Sequence, residues 1–155
     1  MERVLCDRWG ATAIVSRGRV HDALHLPALI AERAGMSSGL VTYQVDGPGC
    51  ELVTLDALTP YQGTGTVLVE AVARIARGAR CTRLWLITTN DNLDALRFYQ
   101  RRGFVLVAVH RDAVTRARQL KPSISLVGRH GIPIRDELEL ERPLRVSERA
   151  GRGDP

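Results

Sequence analysis

The sequence predicts a mixed α/β domain, and three observations carry that prediction. The first half breaks into short β-rich runs separated by glycine-containing turns. Directly after Gly63 and Gly65 the hydrophobic period changes from two to about 3.6 residues. Beyond that point strand-like and helix-like stretches alternate, which is the order of an antiparallel meander running into one parallel crossover.

The elements follow in order. Residues 2–9 read as the end of a helix closed by Gly10, and 11–16 as a short strand ending at the turn Arg17-Gly18. Strands are expected over 28–34 and 39–45, parted by Gly35-Met36-Ser37-Ser38. Asp46-Gly47-Pro48-Gly49 is a hairpin signal. The strand over 50–58 should then place Glu51, Val53 and Leu55 on one face and Leu52, Thr54 and Asp56 on the other. Over 65–77, Val67, Leu68, Ala71, Val72 and Ile75 form one helical stripe, with Gly78 as the stop. Residues 83–88 read as a buried strand. Asp91 can cap a helix running to Arg102 and Gly103. A strand over 104–109, a short helix over 113–120, a loop over 121–133 and a last strand over 134–144 complete the domain. The polar tail 146–155 is expected to be disordered, which leaves 1–145 as a single domain.

Composition narrows the function classes. At 155 residues the chain suits one domain with a real core. It has no apolar run long enough to span a bilayer and no signal-peptide pattern, so no membrane association and a cytoplasmic location are expected. Cys6, Cys50 and Cys81 are scattered, which argues against disulfides and against a metal site. The net charge of +5 fits nucleic acid or a polyanionic small molecule. Aromatics make up only 5% and do not interleave with the arginines, so the small-molecule reading is favoured over nucleic acid.

The chemistry concentrates in Leu55-Asp56-Ala57-Leu58-Thr59-Pro60-Tyr61-Gln62-Gly63-Thr64-Gly65-Thr66, a strand that enters a glycine turn opening a helix. Free N–H groups of Gly63, Thr64, Gly65 and Thr66 at the helix start would make an anion site suited to a pyrophosphate. Alone this is a common loop. It lacks the Lys-Ser/Thr of a P-loop and the third glycine of a dinucleotide fingerprint.

A second segment sharpens it: Asn92-Leu93-Asp94-Ala95-Leu96-Arg97-Phe98-Tyr99-Gln100-Arg101-Arg102-Gly103-Phe104. Together the two segments resemble the GNAT superfamily of N-acetyltransferases. Gly63 and Gly65 match that family's glycine loop, and Asn92, Ala95, Phe98, Tyr99, Gly103 and Phe104 match its later helix. The resemblance spans residues 11–144. It implies a mostly antiparallel twisted sheet of six to seven strands with a splayed central parallel pair and flanking helices. It also implies a donor, acetyl-CoA or coenzyme A, and direct transfer of the acyl group to a primary amine of a small molecule. A non-catalytic acyl-CoA-binding regulator is the alternative. Two departures stand out: Pro60 replaces the family's Arg or Gln, and Met1 falls directly into the helix that usually follows the family's first strand, so that either this strand is missing or the start at Met1 is late. The first predicts weaker donor binding, the second an edge that favours a homodimer.

By the same resemblance, Leu55, Ala57, Gln62, Gly63, Thr64, Gly65, Thr66, Asn92, Ala95 and Phe98 would hold the donor, and a backbone N–H near Leu55 would face the developing oxyanion. Tyr99 is the candidate acid for the leaving thiolate, or an amphipathic packing residue. Glu51 is the candidate base, acting directly or through water, or a solvated residue at a hairpin mouth. Trp85, Thr89 and Asn90 would floor the acceptor site, with core packing as the other reading for Trp85. The four histidines are expected at the surface, with His25 or His110 able to line an acceptor pocket. Arg135 and Asp136 form either a structural ion pair or part of that site's rim.

Overall fold

A computed structural model describes residues 13–58 and 62–145. The helix expected over 2–9, the loop residue Pro60 and the tail 146–155 lie outside the described residues.

The strands are β1 (Ala13–Ser16), β2 (Arg19–Asp22), β3 (Ala28–Arg33), β4 (Met36–Asp46), β5 (Gly49–Ala57), β6 (Arg83–Thr89), β7 (Val105–His110) and β8 (Glu137–Pro143). The helices are α1 (Thr64–Gly78), α2 (Leu93–Gln100) and α3 (Ala113–Leu120). Six strands form one sheet in the order β3-β4-β5-β6-β8-β7, and β1 and β2 form a separate hairpin. The β5–α1–β6 crossover gives a parallel pair, and the other ladders are antiparallel. The mixed α/β expectation holds, with two additions: the strand β2, and a longer β4 that begins at Met36 because the turn falls at Ala34 and Gly35.

Two apolar layers lie on the two faces of the sheet. On one, Leu68, Val69, Val72, Ala73 and Ala76 of α1 pack with Val41, Leu52, Leu84, Leu86, Tyr99, Phe104 and Leu140. Each large side chain so buried contributes about 1.5–3 kcal/mol. The buried stripe of α1 is rotated by one residue from the expected one: Val67 and Ile75 are exposed. Ala73 and Ala76 are fully buried there, and their small side chains let the helix lie close on the sheet. Gly78 falls inside α1 rather than after it, and the chain reverses at Arg80, whose φ is +60°. On the other face Ile14 and Ala23 of the hairpin pack on Leu40 and Val53, and α3 lies against β1.

Two features of β5 position the site. Its ladder with β4 is irregular: Thr42 pairs with Thr54 and Tyr43 with Leu52, so Val53 is an extra residue. That bulge reverses the alternation. Glu51 and Val53 face the hairpin, whereas Leu55 faces the helices with Leu52. The expectation that Glu51 shares a face with Leu55 is therefore corrected. The second feature is that β5 pairs with β6 only from Gly49 to Leu52, while β6 continues beside β8 to Thr89. The parallel pair opens beyond its last ladder pair, Leu52 with Leu86.

Candidate active site

The open end of the parallel pair leads into a cleft of about 980 Å³ on the helix face. Its walls include Leu55 and Ala57 of β5, the run from Gln62 to Thr66, and Asn92, Ala95, Phe98 and Tyr99 of the α2 segment. Every donor-binding residue named from sequence lines this one cleft. Four arginines line it as well, Arg97, Arg101, Arg102 and Arg129, against a single aspartate, Asp94.

Gly63 caps α1 in the left-handed region at φ +78°, and among the described residues no side chain caps the helix N-terminus. The N–H donors there and the positive end of the helix dipole form an anion site at the cleft wall. Gly65 is required for a different reason. A Cβ there would stand 3.0 Å from Phe98 Cζ, so the α1 backbone and the Phe98 ring meet in direct contact. Arg102 holds that arrangement. Its guanidinium stacks 3.5 Å from the Phe98 ring centroid, and its Nε and Nη2 donate to Thr66 Oγ1 at 2.8 and 2.6 Å. Gln62 is tied outward, accepting from Arg33 Nη1 at 2.6 Å.

Helix α2 ends at Gln100, and Gly103 turns the chain at φ +82°. Its cap is Asn92, not Asp91: Asn92 Oδ1 accepts from the Ala95 N–H at 3.2 Å. Asp91 is buried instead, accepting from Thr89 Oγ1 and from the Arg129 N–H. Tyr99 does both things asked of it. Its ring packs edge-on against Phe98 and Phe104, with centroids 5.0 and 5.3 Å away, and it still lines the cleft. Burial pushes its phenol far above the ordinary range, the Asp56 charge adds to that, and Arg102 opposes it. A phenol so placed stays protonated at neutral pH and is able to donate.

Glu51 lies on the hairpin face in a second cavity of about 290 Å³, shared with Ser16, Arg17, Arg19, His21, Arg83 and Trp85. Only 7% exposed, it is no solvated hairpin residue. Ser16 Oγ donates to its Oε1 at 2.9 Å, and His21 Nε2 stands 3.8 Å from Oε2. Burial raises its pKa above the usual carboxylate range; the Ser16 hydrogen bond and the charges of His21, Arg17 and Arg19 oppose that rise. Trp85 is the residue paired beside Glu51 on β6, and the guanidiniums of Arg17 and Arg83 lie 5.8 and 5.4 Å from its ring centroid. Its place is therefore a cavity wall. His21 is buried, against the expectation of a surface histidine, because the unforeseen strand β2 carries it onto Glu51.

Thr89 and Asn90 line neither cavity. Asn90 donates to Pro133 O and accepts from the N–H groups of Arg135 and Asp136, while Thr89 holds Asp91. Both pin the 128–136 loop to the end of β6. The Arg135–Asp136 pair belongs to that structural set, with Arg135 Nη2 2.8 Å from Asp136 Oδ2. The arginines of the cleft and His21 escaped the sequence reading. Arg97 of α2 and its C-cap Arg101 stand at i and i+4, a spacing that signals a shared helix face. Among the described residues no group of three or more His, Cys, Asp and Glu stands close enough to hold a metal ion, and no helix is long and apolar enough to cross a membrane.

A family model described as the acetyltransferase (GNAT) family matches residues 17–104. The chain is 40% identical over 131 residues to the uncharacterized protein YdhI of Bacillus subtilis (strain 168), covering 84% of this chain and 82% of that one. Among solved structures it shares the fold of an IAA acetyltransferase from Bacillus cereus ATCC 14579, at 20% identity and TM-score 0.66 over 76% of this chain and 77% of that one. It also shares the fold of a GNAT family acetyltransferase from Elizabethkingia anophelis with acetyl-CoA bound, at 19% identity and TM-score 0.67 over 76% and 75% of the two chains.

Proposed function

This chain belongs to the GNAT acetyltransferase family, and from that premise we propose that it transfers an acetyl group from acetyl-CoA to a primary amine of a small molecule, directly and without an acyl-enzyme. The observation that carries the reading is the opening of β5 from β6 beside the glycine loop, which brings the parted strand edge next to a helix N-terminus. The cleft suits the donor in size and charge. The N–H groups from Gly63 to Thr66 and the side chains of Arg97, Arg101 and Arg102 suit a pyrophosphate and a further phosphate, and the β5 edge that leaves the β6 ladder beyond Leu52 suits the amides of a pantetheine arm. When bound, the donor supplies an activated thioester.

The chain's own groups divide the remaining work. N–H groups on the open side of β5 near Leu55 face the carbonyl oxygen that gathers charge. Tyr99, which burial keeps protonated although it makes the phenol a weaker acid, gives its proton to the departing sulfur. Glu51 takes the proton of the attacking amine. It lies four residues from Leu55, about 13 Å along an extended strand, so the proton travels through water. The cavity under the hairpin admits a small amine more readily than a folded partner.

Titration calorimetry with acetyl-CoA and then coenzyme A, followed by a thiol-release screen of amines, tests the reading. Micromolar binding and turnover with at least one amine are expected, with Tyr99→Phe keeping the binding and losing about 10²-fold in kcat. Binding without turnover on any amine would leave a non-catalytic acyl-CoA binder. Absence of binding would remove the reading altogether.

A further inference from the structure

Asn92 carries two hydrogen bonds on one atom. Its Oδ1 accepts from the Ala95 N–H at 3.2 Å and from Arg129 Nη1 at 3.1 Å. A backbone N–H and a guanidinium can only donate, so the atom they share is the oxygen and the carboxamide is fixed against flipping. Its Nδ2 has no hydrogen-bond partner among the described residues, yet it is not one of the buried atoms left unsatisfied. Asn92 lines the cleft. The amide N–H₂ is therefore an open donor there.

Arg129 comes from outside both sequence motifs, and the fold builds it into place. Its N–H donates to the buried Asp91 carboxylate at 2.9 Å. Gly128 lies so close to that carboxylate that a Cβ would collide with it. His130 and Gly131, at φ +58° and +70°, turn the chain immediately afterward. The guanidinium also stands 3.8 Å from Asp94 Oδ2. The loop thus delivers one cation to the first turn of α2.

We propose that Arg129 is a positioning residue for the acyl donor: by holding Asn92 Oδ1, it presents Asn92 Nδ2 to a neutral carbonyl of the pantetheine arm. The inference rests on the acyl-CoA reading above. A carboxamide donor suits an amide carbonyl, while the phosphates have the loop N–H groups and Arg97, Arg101 and Arg102.

The test separates positioning from a direct phosphate contact. Calorimetry is run with acetyl-CoA and with the phosphoadenosine diphosphate half of coenzyme A, which carries the phosphates and no arm. Arg129→Met should raise the Kd and KM for acetyl-CoA about tenfold, leave kcat in place, and leave the Kd of the nucleotide half unchanged. Arg129→Lys, which can still donate to Oδ1, should recover part of the loss. The double variant Arg129→Met/Asn92→Ala should bind acetyl-CoA no more weakly than Asn92→Ala alone. Equal weakening of the two ligands, or full additivity in the double variant, overturns the proposal. So does an unchanged Arg129→Met in a protein that binds acetyl-CoA. If the unaltered protein binds no acetyl-CoA, the acyl-CoA reading falls and this inference falls with it.

Discussion

Glu51 is the side chain on which opposing terms meet most directly. Burial under the hairpin disfavours its charge, and Ser16, His21, Arg17 and Arg19 partly restore it, leaving its pKa raised. For a base this is useful, because a carboxylate titrating nearer neutrality accepts a proton more readily. The acid limb of kcat/KM should therefore lie above about 4.3, the ordinary glutamate value. Glu51→Gln should lower kcat by about 10²-fold and remove that limb. Stability supplies an independent check. A raised folded-state pKa gives a contribution present at low pH and lost as pH rises through that pKa. The melting temperature of Glu51→Gln should thus gain on that of the unaltered protein as pH rises through the weakly acid range, since Gln Oε1 still accepts from Ser16. A Glu51→Gln melting temperature that falls relative to that of the unaltered protein as pH rises would contradict the assignment. At this scale the motif residues were legible: Asn92, Phe98 and Tyr99 occupy fixed places around one cleft. His21 was not, since nothing local in Arg19-Val20-His21-Asp22 announces which residue another strand will bury it against.

At the scale of elements, the packing of α1 on α2 centres on the Gly65–Phe98 contact. Gly65 and Phe98 touch, and Arg102 clamps the ring from behind while binding Thr66 on the next residue of α1. Phe98 therefore cannot retreat without breaking that clamp. Gly65→Ala should destabilise the fold by about 1–3 kcal/mol through overpacking and weaken acetyl-CoA binding at the adjoining N–H groups. Adding Phe98→Leu should recover most of the stability, a coupling that a denaturation-based double-mutant cycle measures directly. Additive losses would mean that the contact is not what makes Gly65 necessary. The same scale shows where pattern reading stops. Helix and strand identities followed from period. The bulge at Val53 did not, because Glu51-Leu52-Val53-Thr54-Leu55 alternates plausibly in either register and only the pairing with β4 decides it. That one extra residue sends Glu51 and Leu55 to opposite faces, a separation the sequence could not reveal.

For the whole molecule, the net charge of +5 includes a local excess at the donor cleft. Four arginines and one aspartate line the donor cleft, whereas on the other face Arg17 and Arg83 are engaged by Glu139 and Glu141 of β8. The cleft lining thus carries a local excess of positive charge on the helix side, where a polyanion would enter. Composition gave the sign of this excess and its likeness to a phosphate site; only the fold brings Arg129 beside Arg97, Arg101 and Arg102 from a loop some 30 residues away. Charges at a solvent-open cleft are screened over about 8–10 Å at physiological salt, so their contribution to donor capture is salt-sensitive. Raising the ionic strength should weaken acetyl-CoA binding severalfold, chiefly by slowing association. Arg97→Gln/Arg101→Gln should flatten that dependence while leaving the fold intact, because both side chains lie at the cleft rim rather than in the core. The KM of an acceptor amine, proposed to bind under the hairpin, should move much less. Stopped-flow association measured across a salt series decides it. An equally steep slope in the double variant would assign the attraction to the helix N-terminus and its loop instead of the arginine rim.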